Sequence, residues 1–217
     1  VAYWNSLREA GTRAHPPIGM LHLDPARPRD AQRHEIDEME PALGPLLKAW
    51  ANHLETGPRG PAILLDLSPR LNEDQRSLVD AVIETTFPGI RRTWEYLSQG
   101  GGRIDRLSVW IGSLSSKEPS RCIRMGKKKI MATIEGKVAE SELVSMSSPP
   151  PFGAHLTIVD PALVQSGLHE AWLDRALPEN AGHSWLKLEG RRPLLISTDP
   201  LIRDDEIDAF VIASGEI

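Results

Sequence analysis

The clearest hydrophobic pattern in the chain is a short apolar run between two prolines, at residues 61–69. Apolar side chains fill both faces of the run at first, and the polar Asp66 and Ser68 appear only near its end. A run this short between prolines is typical of a strand that is buried on both faces. Because ligands of open α/β sheets bind at the carboxyl ends of strands, Asp66 is a candidate site residue.

A helix is predicted directly after this strand. Asn72 is a good N-cap, and Glu73 and Asp74 place negative charge in the first turn, where the helix dipole favours it. The apolar residues then recur at helical spacing, at Leu78, Val79, Val82, Ile83 and Phe87. Pro88-Gly89 ends this helix, and a second helix is predicted after it, with Ile90, Trp94 and Leu97 on one face.

The remaining pattern predicts further elements on both sides of this unit. Before it come a short helix at 3–10, a strand at 18–23 and an amphipathic helical region at 30–56 that prolines break into two segments. After it come a strand at 107–112, a hairpin at 122–137, a strand at 155–159, a helix from Asp160-Pro161 split at Gly167, a hairpin at 184–197 and a strand at 209–213.

These elements predict an α/β or α+β fold with a mixed parallel and antiparallel sheet and helices packed on it. Helices alternate with strands in the first half, which favours parallel βαβ-like pairing, whereas the second half is dominated by antiparallel hairpins. We expect a single domain over residues 1–217, with the proline-rich stretch at 145–151 as a connector.

Composition excludes several classes of protein. The chain has 217 residues and a net charge of −5, so overall charge does not favour polyanion binding. No run of about 18 apolar residues is present, and we therefore expect no membrane span. Cys122 is the single cysteine, which excludes an internal disulfide and a cysteine zinc cluster and fits a reducing, cytoplasmic location.

The densest charge feature is a group of basic residues on the hairpin at 121–137. Its members are Arg121, Arg124, Lys127, Lys128, Lys129 and Lys137. Such residues are candidates for phosphate or nucleic-acid binding, with an affinity that falls steeply with salt. No aromatic residue is interleaved for base stacking, and lysines on an edge strand also serve to prevent aggregation.

A catalytic interpretation rests on four residues. Glu135 and Lys137 lie two apart, on one face of a strand, as in metal-dependent nucleases whose carboxylate holds Mg²⁺ while a lysine supports the attacking water. Asp66 or Asp105 would supply the second carboxylate. No other metal or cofactor is expected. Cys122 lies between two arginines that are expected to lower its pKa, but no histidine is near in sequence, so a structural thiol is the preferred interpretation.

No coherent catalytic set emerges from these motifs. The sequence therefore favours a non-catalytic binding or assembly module that acts through protein contacts in a larger complex, either with a partner protein or as a homo-oligomer. The alternatives are a phosphate-handling enzyme such as a Mg²⁺-dependent nuclease, and a nucleic-acid-binding domain that uses the basic hairpin.

Overall fold

The computed structural model describes residues 17–25, 38–139, 144–145, 149–187 and 193–217. Contacts divide the chain into two compact units, Val1–Arg92 with Ser108–Ser116 and Thr93–Leu107 with Lys117–Ile217. The predicted helix at 3–10, residues 30–37 of the amphipathic region and residues 146–148 of the predicted connector lie outside the described residues.

The fold combines helices with mixed parallel and antiparallel strand pairing, which confirms the predicted class. The helices are α1 (Leu43–Ala51), α2 (Glu73–Thr86), α3 (Pro161–Gln165), α4 (His169–Ala176) and α5 (Asp205–Asp208). The strands are β1 (Leu21–Leu23), β2 (Ala62–Leu67), β3 (Arg92–Ser98), β4 (Arg106–Gly112), β5 (Ser120–Met125), β6 (Ile130–Gly136), β7 (Val144–Ser145), β8 (His155–Val159), β9 (His183–Lys187), β10 (Leu194–Ser197) and β11 (Val211–Glu216). Within the described ranges, no helix is long and apolar enough to cross a membrane.

The first unit is built on β2. Strands β1, β2 and β4 lie side by side in that order, and β1 runs parallel to β2 with α1 in the connection between them. Ile63 and Leu65 have no exposed surface, and they pair in register with Leu21 and Leu23 of β1. The parallel arrangement predicted for the first half is therefore confirmed at this pair.

Helix α2 begins where the sequence predicts. The Asn72 side chain accepts a hydrogen bond from the Gln75 backbone N–H at 2.9 Å, and the Gln75 side chain accepts one from the Asn72 N–H at 3.2 Å. This reciprocal pair is a capping box that satisfies two backbone donors at the helix N-terminus.

The second helix predicted around Ile90, Trp94 and Leu97 is wrong, because this stretch forms strand β3. Trp94 and Leu97 pair in parallel register with Ser120 and Ile123 of β5. The helical spacing of the three apolar residues was coincidental, and β-branched and aromatic residues such as Thr93, Trp94 and Tyr96 favour a strand.

The second unit contains the predicted hairpins. Strands β3, β5 and β6 are neighbours, with β3 parallel to β5 and β5 antiparallel to β6. A five-stranded sheet has the order β11-β8-β10-β9-β7, in which β8, β9, β10 and β11 pair in antiparallel fashion. Asp160 caps α3, and Gly167, at φ 71°, separates α3 from α4 as predicted.

Replacing Gly112 by alanine should destabilise the protein much more than replacing Gly89. Both glycines have positive φ, 65° and 69° respectively, so both substitutions carry a similar backbone penalty. A Cβ at Gly112 would overlap the Pro61 carbonyl, whereas nothing lies within 4 Å of one at Gly89. We expect Gly112→Ala to cost about 1–3 kcal/mol more than Gly89→Ala in urea unfolding, and equal losses would contradict this packing.

Candidate functional site

An apolar groove lies between α1 and α2 in the first unit. Apolar positions on α2 cover a wide arc, of which Val79 and Ile83 are fully buried. Leu78 is 53% exposed, and Val82 is half-buried beside it. The helix therefore has more apolar surface than the described part of the fold covers, and the surplus faces the groove.

Small and apolar residues line this groove, which has a volume of about 730 Å³. The close packing of the helices shows at Gly44, where an added Cβ would lie 3.7 Å from Val82 Cγ1. The lining consists of Leu43, Gly44, Lys48, Ala51 and Asn52 from α1 and its end, and Leu78, Ala81, Val82, Thr85 and Thr86 from α2. Its size falls in the usual range for ligand sites.

Four of the ten described lining residues of the groove are polar, namely Lys48, Asn52, Thr85 and Thr86. Thr85 donates its hydroxyl to the Ala81 carbonyl at 2.7 Å, and Thr86 donates to the Val82 carbonyl at 3.0 Å. Lys48 is the single charged residue among the described lining residues. The described lining contains no histidine, cysteine or carboxylate.

Asp66 lies where the sequence predicts, near the carboxyl end of β2. Its Oδ1 accepts a hydrogen bond from Ser108 Oγ at 2.5 Å, and its Oδ2 lies 2.9 Å from His22 Nε2. The serine and the histidine both contact the aspartate, which stands in the middle. In a serine-nucleophile triad the histidine would stand between the other two, so these residues do not form that arrangement.

Glu135 is bound to a neighbouring arginine. Glu95 on β3, Arg121 on β5 and Glu135 on β6 lie directly opposite one another across three strands. Arg121 Nε is 2.7 Å from Glu95, and Arg121 Nη1 is 3.1 Å from Glu135. Two carboxylates therefore balance the charge of Arg121, and Glu135 is already engaged by a guanidinium.

Arg124 has a structural position in the second unit. Its Nε donates to the Ala209 carbonyl at 3.0 Å and lies 3.8 Å from Asp160 Oδ2. Asp160 is nearly fully buried and also accepts a hydrogen bond from Ser98 Oγ at 2.6 Å. Arg124 thus joins β5 to the residues around α3 and β11.

The other predicted site residues are distributed over separate elements. Lys127, Lys128 and Lys129 are exposed in the β5–β6 turn, and Lys137 is exposed just beyond β6. Asp105 accepts hydrogen bonds from the Gln99 N–H and from Arg103 Nε, which closes the loop before β4. Within the described ranges, no group of three or more histidine, cysteine or acidic side chains could hold a metal ion.

Cys122 is a buried thiol with no exposed surface. Burial raises its pKa above the usual range, and the negative charge of Asp160 raises the pKa further. The expectation that the flanking arginines would lower this pKa is wrong, because their charges are matched by carboxylates while the thiol is desolvated.

Comparison of the chain with protein-family models, with curated proteins and with solved structures found no significant match. A function can therefore be proposed only from the residues and their geometry.

Sequence reasoning missed the groove, although a signal was present. Leu78, Ala81, Val82 and Thr85 follow the spacing i, i+3, i+4 and i+7, which defines a face of α2 separate from the buried one. The sequence showed one wide apolar stripe, and only the structure shows which half of it is covered.

Cys122 should resist thiol-specific reagents while the protein is folded. Its raised pKa keeps it protonated at pH 7–8, and exposing it requires opening of the core. We expect labelling by a chromogenic disulfide to be on the order of 1,000-fold slower than in denaturant. Labelling of the folded protein at a rate close to that of the unfolded chain would contradict the burial of this thiol.

Proposed function

We propose that the protein is a non-catalytic binding module that acts through protein contacts, and that the groove between α1 and α2 holds an amphipathic helix of a partner protein. A single observation supports the proposal. The apolar face of α2 formed by Leu78, Ala81, Val82 and Thr85 lies open beside small residues of α1.

The shape of the lining favours a helix as the bound element. Two packed helices leave a groove between their side-chain ridges, and a third helix packs its own ridge into such a groove. The small residues Gly44, Ala51 and Ala81 permit a close approach of that helix. Its apolar residues at i, i+3, i+4 and i+7 would then contact Leu78 and Val82.

Charge defines one further property of the partner. Lys48 lines the groove and forms no ion pair with an acidic residue in the described part of the chain. The partner helix is therefore expected to carry an aspartate or glutamate beside its apolar face. An exposed pair of this kind contributes little affinity, about 0–1 kcal/mol, and mainly fixes the orientation of the helix.

The partner is a different protein in this proposal, and a second copy of the chain is an outcome that the test distinguishes. A cytoplasmic location belongs to the same proposal, since the single cysteine is a free, buried thiol.

Leu78→Asp should strongly weaken binding of the partner, whereas Ser77→Asp should not. Leu78 lies in the groove, while Ser77 is exposed on the same helix and does not line it. The two substitutions add the same charge at adjacent positions. Loss of a central apolar contact should raise the dissociation constant about 30-fold or more. The constant is measured with purified partner. Both variants should keep their unfolding midpoint within about 2 °C, because surface substitutions rarely change stability.

The partner can be identified by a photo-crosslinking residue at position 81 in cells that make the protein, with the same residue at position 77 as control. Native mass spectrometry then shows whether the crosslinked species contains a second copy of the chain. Equal crosslinking from both positions, or equal loss of binding in both aspartate variants, would contradict the proposal.

A further inference from the structure

A second pocket, of about 540 Å³, lies in the first unit at the amino end of β2. The segment before β2 forms one wall, at residues 58–61, and the turn after α2 forms the other, at residues 86–91. This volume is typical of small-ligand sites and too small for a protein domain.

Backbone contacts hold the two walls in place. The Ser113 N–H donates to the Pro61 carbonyl at 3.2 Å, and the Gly112 N–H donates to the Arg91 carbonyl at 2.8 Å. A Cβ on Gly60 would lie 3.0 Å from Ile90 Cδ1, so the two walls approach each other closely at this point. The site is therefore built into the packing of the unit.

Two arginines line the pocket, Arg59 and Arg91. Neither side chain forms an ion pair or hydrogen bond with a described residue. The acids of α2 that lie nearest in sequence already have partners, because Asp80 and Glu84 bind Arg92 and Glu84 also accepts the Gly89 N–H at 2.8 Å. Both arginines are exposed, and the pocket is lined by two positive charges and by no acidic side chain of the described residues.

The rest of the lining is apolar. Phe87 and Ile90 are half-buried there, with prolines at positions 58, 61 and 88 around them. The C-terminal end of α2 adds a partial negative charge of about half a unit, which two full guanidinium charges outweigh. An anion at this site must therefore be held by the guanidinium groups, which bind carboxylates and phosphates through paired hydrogen bonds.

We propose that this pocket binds a small organic anion, whose carboxylate or phosphate group is held by Arg59 and Arg91 and whose apolar body lies against Phe87 and Ile90. This proposal does not rest on the one for the helix-binding groove, although Thr86 lines both sites, and its failure would leave the proposal for the groove intact.

Titration of the ¹⁵N-labelled full chain with phenyl phosphate and with benzoate tests this proposal. We expect saturable shifts in the amide signals of Gly60, Gly89 and Arg91 for at least one of the two probes. The probe that binds more tightly shows whether the natural ligand carries a phosphate or a carboxylate. Inorganic phosphate and phenol should each bind at least about 10-fold more weakly. Inorganic phosphate lacks the apolar ring, and phenol lacks the anionic group.

Arg59→Met and Arg91→Met should each weaken binding of the preferred probe about 10-fold or more. Lys117→Met is the matched control, because it removes an exposed positive charge outside the pocket and should leave binding unchanged. Arg91→Lys should restore binding only in part, since lysine keeps the charge and loses the paired geometry. The proposal is overturned if neither probe saturates these signals at millimolar concentration, or if all three methionine variants bind equally.

Discussion

The alternation of side chains along β2 is the constraint on which the first unit depends. Ile63 and Leu65 are fully buried, and their pairing with Leu21 and Leu23 fixes the position of β1. A shift of one residue would turn Asp66 toward the buried side, where an unpaired carboxylate is costly. Register is therefore enforced both by apolar burial and by this penalty, and the segments at the two ends of the strand are positioned as a result.

Helix α2 shows how the same unit leaves an open apolar surface. Val79 and Ile83 are buried in the core, and the capping box fixes where the helix begins. Single exposed leucines are common on protein surfaces and need no explanation. Leu78 differs because it lies next to Val82 and faces Gly44 of α1, so that the three residues line one contiguous apolar groove. A contiguous patch of this kind marks an interaction site more often than scattered exposed residues do.

The sequence predicted those features whose causes are local. The buried strand β2, the cap at Asn72 and the β5–β6 hairpin each follow from a few neighbouring residues. The stretch around Trp94 failed because its apolar residues fit a helical period as well as a strand, and only pairing with β5 decides between them. Local pattern could not supply that information.

The candidate site residues could not be judged from sequence because their partners are distant along the chain. Arg124 donates to the carbonyl of Ala209, 85 residues away, and lies beside Asp160. Arg121 is matched by Glu95 on one side and by a glutamate of β6 on the other. A dense run of basic residues in sequence is thus a mixture, in which the arginines are structural and the turn lysines remain exposed.

The two proposed sites meet at the C-terminal end of α2, where Thr86 lines both of them. Its hydroxyl is donated to the Val82 carbonyl within the helix, so Thr86 contributes no donor of its own to either ligand. Selectivity must then come from what differs between the sites, which is a single lysine beside an apolar surface in one and two arginines in the other. These charged residues lie outside α2, with Lys48 on α1, Arg59 before β2 and Arg91 after the end of α2. A change in Lys48 or Arg91 therefore alters one site without replacing the threonine that the two sites share.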